Sequence, residues 1–285
     1  MNALTFPAPA KLNLSLRILG KREDGFHEID TLMVTLPGLA DSLDFHEADE
    51  FSFRCDDSTV PSDGANLVVK AVRAFENAAG VACRYAISLR KVIPHGAGLG
   101  GGSSDAATTL LALNQLHDFK LGMETLHELA SSLGSDIPFF LTGGAARCTG
   151  RGEKITPTEP PPRLPILLLK PDFKVPTPDA YRRWEKSLEI PGIRYSEQTD
   201  RGVLFFNDLE RPVFEKYRFL AEMKQWLLDR EETTAALMSG SGSTVFAVLK
   251  NLQDADALAA AARSALDPSL WFWSGSMADE DRATK

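Results

Sequence analysis

From Ala10 to Leu19 the chain alternates, with Ala10, Leu12, Leu14, Leu16 and Ile18 set against Lys11, Asn13, Ser15 and Arg17. A period of two predicts a half-buried strand with one polar face. A polar connection, Lys21 to Glu28, turns at Asp24-Gly25, and Ile29 to Leu36 resumes as strand. Phe51 to Arg54 reads as a short strand and Arg84 to Ile93 as an alternating one. Between them Asn66 caps an amphipathic helix through Ala78. Helices follow over Asp105–Leu116 and Glu124–Leu133, and Ser135-Asp136-Ile137-Pro138 opens a short third one. Gly143 to Thr149 leads back to a strand. Five prolines between 157 and 165 mark the expected boundary between a lobe at 1–156 and a second at 157–276. The second lobe reads as strand 166–170, helix 178–188, an undetermined stretch 203–209 and a long helix 212–229. Strand, glycine turn and strand follow over 237–249, then helix 255–266 and strand 270–274. The charged segment from Met277, with 277–285 as a tail, is expected to fray. Strands and helices mix without regular βα alternation, which predicts a two-lobed α+β fold.

The 285 residues carry a net charge of −8, which argues against a broad nucleic-acid footprint and requires any anion site to make its own positive potential. Cys55, Cys83 and Cys148 are odd in number and far apart, which fits a reducing compartment without a disulfide framework. No basic and apolar leader opens the chain, and apolar runs such as Ile166 to Leu169 are only a few residues, too short to span a bilayer. The expectation is a cytoplasmic protein without nucleic-acid or membrane partners.

The candidate chemistry lies in Pro94-His-Gly-Ala-Gly-Leu-Gly-Gly-Gly-Ser-Ser-Asp-Ala106. Glycine admits positive φ and close backbone approach. Several amides at a helix start, with a partial charge of roughly +0.5, suit an anion such as phosphate. A plain turn would need only one or two glycines. Gly96-x-Gly98-x-x-Gly101 formally matches the dinucleotide fingerprint, with Asp118 downstream. That aspartate, however, lies between two helices instead of ending a second buried strand. No lysine closes the loop as in a Walker A sequence, and His-Arg-Asp and Asp-Phe-Gly are absent.

The loop resembles the phosphate loop of the GHMP kinase superfamily. Pro9-Ala-Lys-Leu-Asn-Leu14 and Met238-Ser-Gly-Ser-Gly-Ser-Thr-Val-Phe246 resemble two further segments of that superfamily, in the same order. Arg22-Glu-Asp-Gly-Phe-His-Glu28, Gly134-Ser-Asp-Ile-Pro-Phe139, Val175-Pro-Thr-Pro178 and Phe206-Asn-Asp-Leu-Glu210 are similar to the branch whose acceptor carries a cytidine diphosphate group. The resemblance implies an amino-terminal lobe like ribosomal S5 domain 2, a ferredoxin-like carboxy-terminal lobe and a site in the cleft between them. It implies ATP-dependent phosphorylation of the 2-hydroxyl of 4-diphosphocytidyl-2-C-methyl-D-erythritol, a step of non-mevalonate isoprenoid precursor synthesis. The alternatives are a GHMP kinase for another small alcohol, homoserine or mevalonate, and a catalytically silent nucleotide-binding regulator. The chain would be a monomer or homodimer.

The resemblance also implies roles for single residues. Pro94, His95, Gly96, Ala97, Gly98, Leu99, Gly100, Gly101, Gly102, Ser103 and Ser104 would bind ATP, the serines offering hydroxyls to phosphate or to an expected Mg2+ whose ligands are left unassigned. The imidazole of His95 itself has no assigned role. Asp136 would be the general base, although Ser-Asp before Ile-Pro also suits a helix cap. Lys11 would orient that aspartate, although a strand lysine is ordinarily solvated. Phe26, His27 and Tyr181 would hold the cytosine, with Phe26 standing where the family usually has tyrosine and so lacking a hydroxyl. Asn13, Thr177, Gly240, Ser241 and Gly242 would line the rest of the acceptor site.

Overall fold

The computed structural model describes residues 4–277. Its strands are β1 (Leu4–Lys21), β2 (His27–Glu47), β3 (Ser52–Cys55), β4 (Tyr85–Arg90), β5 (Ala145–Gly150), β6 (Lys154–Pro157), β7 (Pro165–Lys170), β8 (Gln198–Asp200), β9 (Val203–Asn207), β10 (Thr233–Met238), β11 (Val245–Leu249) and β12 (Trp271–Ser276). The helices are α1 (Leu67–Ala79), α2 (Gly101–Leu116), α3 (Met123–Leu133), α4 (Ile137–Thr142), α5 (Thr177–Arg183), α6 (Glu210–Lys216), α7 (Arg218–Leu228) and α8 (Ala255–Ala265).

Two sheets organise the chain. The first runs β3-β4-β2-β1-β9-β8, with β5 also on β2 and β6 on β5; the second runs β10-β11-β7-β12. Pairing is antiparallel except for β3 with β4 and β1 with β9. One core joins the first sheet to α1–α4 through Phe45, Phe75, Leu110 and Phe139. Another joins the second sheet to α6–α8 through Leu169, Phe214 and Met223. A third, with Ala10, Leu12 and Leu14 from β1 and Ile166, Leu168 and Phe246 from the second sheet, welds the two halves. The apolar face of β1 is thus spent between the sheets. Its opposite face, with Lys11 and Asn13, is also buried. It looks into the cleft.

Several boundaries differ from expectation. β2 runs on past Leu36, because Pro37 and Gly38 fall in a register shift between Pro9 and Ala10 where no regular ladder bond is needed. Helix α2 starts at Gly101, four residues before the expected Asp105, since glycine's poor propensity hides a start fixed by tertiary packing. The expected helix 212–229 is two helices meeting at Tyr217, which leaves helical geometry and stacks on Phe173 at 5.5 Å. The helix expected over 178–188 covers only Thr177–Arg183 before a single tighter turn, Trp184–Lys186. β6 and β8 carry too few residues to show a period. Of the expected tail, residues 278–285 lie outside those described.

Candidate active site

The glycine segment curls beside β1. Gly96, Gly98 and Gly100 take positive φ, and Gly100 precedes α2 without a side chain to cap it. The first amides of a helix have no partner within it, so those of 101–103 are available to a ligand. Gly98 serves a second purpose. A Cβ there would sit 2.3 Å from the Ser239 carbonyl oxygen, so this glycine lets the loop lie against the turn between β10 and β11. The Ala97 carbonyl accepts from the Thr244 amide at 3.1 Å, and the Gly98 carbonyl from Ser239 Oγ at 3.0 Å. Asn207 Nδ2 donates to the Met238 and Gly240 carbonyls, both at 2.7 Å. The Phe206-Asn-Asp-Leu-Glu210 segment therefore braces the second glycine turn. In the same segment Glu210, buried with Lys224 at 2.6 Å, accepts from the Met238 amide.

A cavity of about 280 Å³ is lined by Pro94 to Gly98, Gly100 to Ser103, Lys11, Asn13, Thr177, Tyr181, Gly240 to Gly242 and Asp136. Two residues of the expected ATP loop do not line it. Leu99 is in the core with its carbonyl accepting from the Lys11 amide. Ser104 is fully buried in α2, its hydroxyl without a partner among the described residues. Lys91, missed in the sequence because it sits on an ordinary-looking strand end, lines the same cavity. It pairs with the buried carboxylates of Asp41 and of Asp105, the latter at 2.8 Å. Burial lowers its ammonium, but the two carboxylates outweigh that and hold it above the usual lysine range.

A second cavity of about 510 Å³ adjoins the first. It is lined by Lys21, Gly25, Phe26, His27, Arg151, Pro178, Arg182 and Glu185, together with Asp136, Thr177 and Tyr181, which line both. The turn carrying Phe26 is pinned by Asp24, whose carboxylate accepts from the Phe26 amide at 3.1 Å. The His27 ring lies 5.3 Å from Tyr181 and 6.0 Å, edge-on, from Trp184. Burial and then Lys21 hold its imidazole below the usual histidine range, which leaves it neutral at pH 7. Phe26 is exposed, with the Arg151 guanidinium 5.1 Å over its ring. Arg151 and Trp184 carry no motif signal and were legible only in three dimensions.

Asp136 stands just ahead of α4, and its carboxylate makes no capping hydrogen bond to that helix. It is 39% exposed and lies 3.7 Å from Lys11 Nζ, whose side chain is 4% exposed. Burial pulls the Lys11 ammonium below the usual lysine range, with Asp136 opposing that pull. Lys11 also donates to Asn13 Oδ1. Behind them the buried Cys148 thiol is pushed up to about 12 by burial and then by Asp136, so it stays protonated. Thr177 Oγ1 lies 2.7 Å from Ser241 Oγ, tying α5 to the second glycine turn.

The sequence and the fold are matched by known proteins. The family model described as GHMP kinases N terminal domain matches residues 66–144, and that for GHMP kinases C terminal matches 197–267. The fold and site define a small-molecule kinase of this class. A curated 4-diphosphocytidyl-2-C-methyl-D-erythritol kinase from Methylacidiphilum infernorum is 43% identical over 255 residues, covering 85% of this chain and 84% of the relative. A crystal structure of 4-(cytidine 5'-diphospho)-2C-methyl-D-erythritol kinase superposes with a TM-score of 0.79 at 34% identity, over 96% of this chain and 98% of that one. Homoserine kinase from Cytophaga hutchinsonii shares the fold at 18% identity, with a TM-score of 0.64 over 97% and 94% of the two chains. The chain belongs to the 4-diphosphocytidyl-2-C-methyl-D-erythritol kinase family.

Proposed function

We propose that the protein transfers the γ-phosphoryl group of ATP to the 2-hydroxyl of 4-diphosphocytidyl-2-C-methyl-D-erythritol. The observation that carries this reading is the place of Asp136, where a cavity walled by glycine-loop backbone meets one walled by His27, Phe26 and Tyr181. A donor's phosphates and an acceptor's base fit on either side of one carboxylate.

The amides of the loop and of the first turn of α2 would hold the triphosphate and supply the local positive potential that a chain of net charge −8 otherwise lacks. The cytosine would lie against the rings of Phe26 and Tyr181, which line the second cavity and where stacking contributes roughly 1–3 kcal/mol per base. A neutral His27, one nitrogen donating and the other accepting, can read the polar edge of a neutral base. Lys21, Arg151 and Arg182 line the same cavity and would face the diphosphate. In the transfer, a bond forms from the acceptor oxygen to the γ-phosphorus as the bond to the β,γ-bridging oxygen breaks. The hydroxyl proton passes to an Asp136 oxygen, and ADP leaves. The transition state is loose, so the proton departs late and a weak base suffices. Lys11 would stabilise charge on the acceptor oxygen and fix the carboxylate.

Among the described residues no three or more His, Cys, Asp or Glu side chains gather in a metal-holding group. Mg2+ carried in on the nucleotide would need few ligands from the protein. Ser103, at the cavity wall, would offer it one further oxygen. Bound there it would offset the triphosphate charge. No helix among the described residues is long and apolar enough to cross a membrane. The deciding experiment is ATP consumption with the cytidyl acceptor, compared with homoserine and mevalonate. Turnover confined to the cytidyl acceptor is expected, and turnover of either simpler alcohol alone would overturn the reading.

A further inference from the structure

We propose that Thr31 is a positioning residue for this reaction, its hydroxyl setting which way the Asn13 amide faces and thereby how Lys11 is held. The proposal rests on the reading of Lys11 as the cation beside the acceptor oxygen. Hydrogen-bond polarity carries it. A hydroxyl has one proton. Thr31 Oγ1 lies 2.6 Å from the Ser15 carbonyl oxygen, which can only accept, so the proton goes there. Oγ1 then offers only lone pairs to Asn13, whose Nδ2 lies 2.8 Å away and must be the donor. With Nδ2 committed to Thr31, Oδ1 has to face the other way, and there it accepts from Lys11 Nζ. The flipped amide would set N–H groups against an ammonium and an oxygen against an oxygen.

The fold isolates this relay. Lys11, Asn13 and Thr31 are each at most 4% exposed. A β-bulge between Asn13 and Ser15 shifts the β1–β2 register, so that Ser15 pairs with Leu32 while its carbonyl meets the Thr31 hydroxyl. The Gly240 turn lies on top, where a Cβ would come within 3.1 Å of Asn13 Oδ1 and 3.2 Å of Lys11 Nζ. The titratable groups facing Lys11 are Asp136, ahead of α4, and Cys148 on β5; the neighbours from β2 and the glycine turns are neutral. Burial pulls the ammonium toward its neutral form and Asp136 opposes that pull; a carbonyl oxygen held on the ammonium by Thr31 would add to the opposition. Of the three ammonium protons, one goes to Asn13 and one faces Asp136, leaving one for the reacting oxygen.

The test compares Thr31→Val, which keeps the shape and removes the hydroxyl, with Thr31→Ser, which keeps the hydroxyl. In protein carrying 13Cε-labelled lysine, the Lys11 resonance (assigned by its loss in Lys11→Met) is titrated without substrate. The valine variant is expected to titrate at lower pH than wild type, and the serine variant with wild type. The alkaline limb of kcat should move down in pH with it, and kcat itself should fall, by up to about 10²-fold for a misplaced group, with KM for ATP unchanged. Coincident Lys11 titrations in folded wild-type and valine proteins would overturn the proposal. Should the valine variant not fold, Thr31→Ala is held to the same outcomes. The titration needs no acceptor, so it stands apart from any failure of the substrate assignment.

Discussion

Lys11 Nζ stands 3.7 Å from the Asp136 carboxylate, and the two differ tenfold in exposure, 4% against 39%. The lysine is rooted in the middle of β1 with the inter-sheet core at its back, while the aspartate hangs at a helix entrance without capping it. A fixed cation beside a partly solvated carboxylate is the arrangement expected of a group that must take up a proton and release it to water. A carboxylate serving only structure would be tied to the α4 amides instead.

Replacing Asp136 by Asn should lower kcat by about 10²–10⁴, the usual worth of a positioned proton acceptor, while ATP affinity by calorimetry stays at its wild-type value. Turnover at the wild-type rate would remove Asp136 from the chemistry. Lys11 adds a pH signature. Its ammonium must be charged to act, and burial lowers its pKa from 10.5. Activity is therefore lost as pH rises through that lowered value, before ordinary lysines titrate. A profile still flat at pH 10.5 would mean that the charge on Lys11 is dispensable.

His27→Ala should raise KM for the cytidyl acceptor by about 5- to 150-fold, the span of one lost hydrogen-bonded base-edge contact, and leave KM for ATP alone. The ring lies in the second cavity and does not line the first. Equal rises in both constants would place the base elsewhere.

Much of this site was legible in the sequence because its parts are local. The alternation in β1 put Lys11 and Asn13 on one face, and the glycines at 96–102 announced a loop with special backbone geometry. What alternation could not reveal was that the polar face points into a cleft; burial of a lysine on a strand depends on what packs opposite, here the Gly240 turn. The resemblance covers the loop as one run from Pro94 to Ser104, but a curl turns successive residues in different directions, and Leu99 and Ser104 point inward. Lys91 and Arg151 reach the cleft, and Trp184 reaches the His27 ring, from elements far apart in the chain. No spacing rule could collect them.

Asp105 offers a test of buried charge. One lysine faces two buried carboxylates, Asp41 and Asp105. Burial, offset by Lys91 and reinforced by Asp41, raises Asp105 to about 7 from 3.8. A carboxyl whose folded pKa exceeds its unfolded one contributes stability fully below the unfolded value and loses it as pH rises through the folded one. Wild-type protein should therefore lose stability between about pH 4 and 7 through this group. Asp105→Asn should flatten that slope and be more stable than wild type at pH 8, by about 2–4 °C in Tm for each kcal/mol regained. A variant less stable than wild type at pH 8 would show both carboxylates to be ionised and needed by Lys91.

The two ends of the glycine loop should fail in different ways. Gly98 has φ +78°, and a Cβ there would meet the Ser239 and Gly242 carbonyl oxygens at 2.3 and 2.9 Å. Neither can yield without moving the second glycine turn. Gly98→Ala should thus cost at least the roughly 1–3 kcal/mol of a left-handed non-glycine residue, read as a fall in Tm. Gly102 sits in the first turn of α2, lines the first cavity and has only Leu67 within reach of a Cβ, at 3.7 Å. Gly102→Ala should leave Tm unchanged or raised, since alanine favours helix by about 0.5–1 kcal/mol. Its methyl group would stand where a phosphate approaches the backbone, so ATP affinity should fall. If Gly102→Ala binds ATP as tightly as wild type, the phosphates do not rest on the start of α2, and the glycines serve only to let the two turns pack.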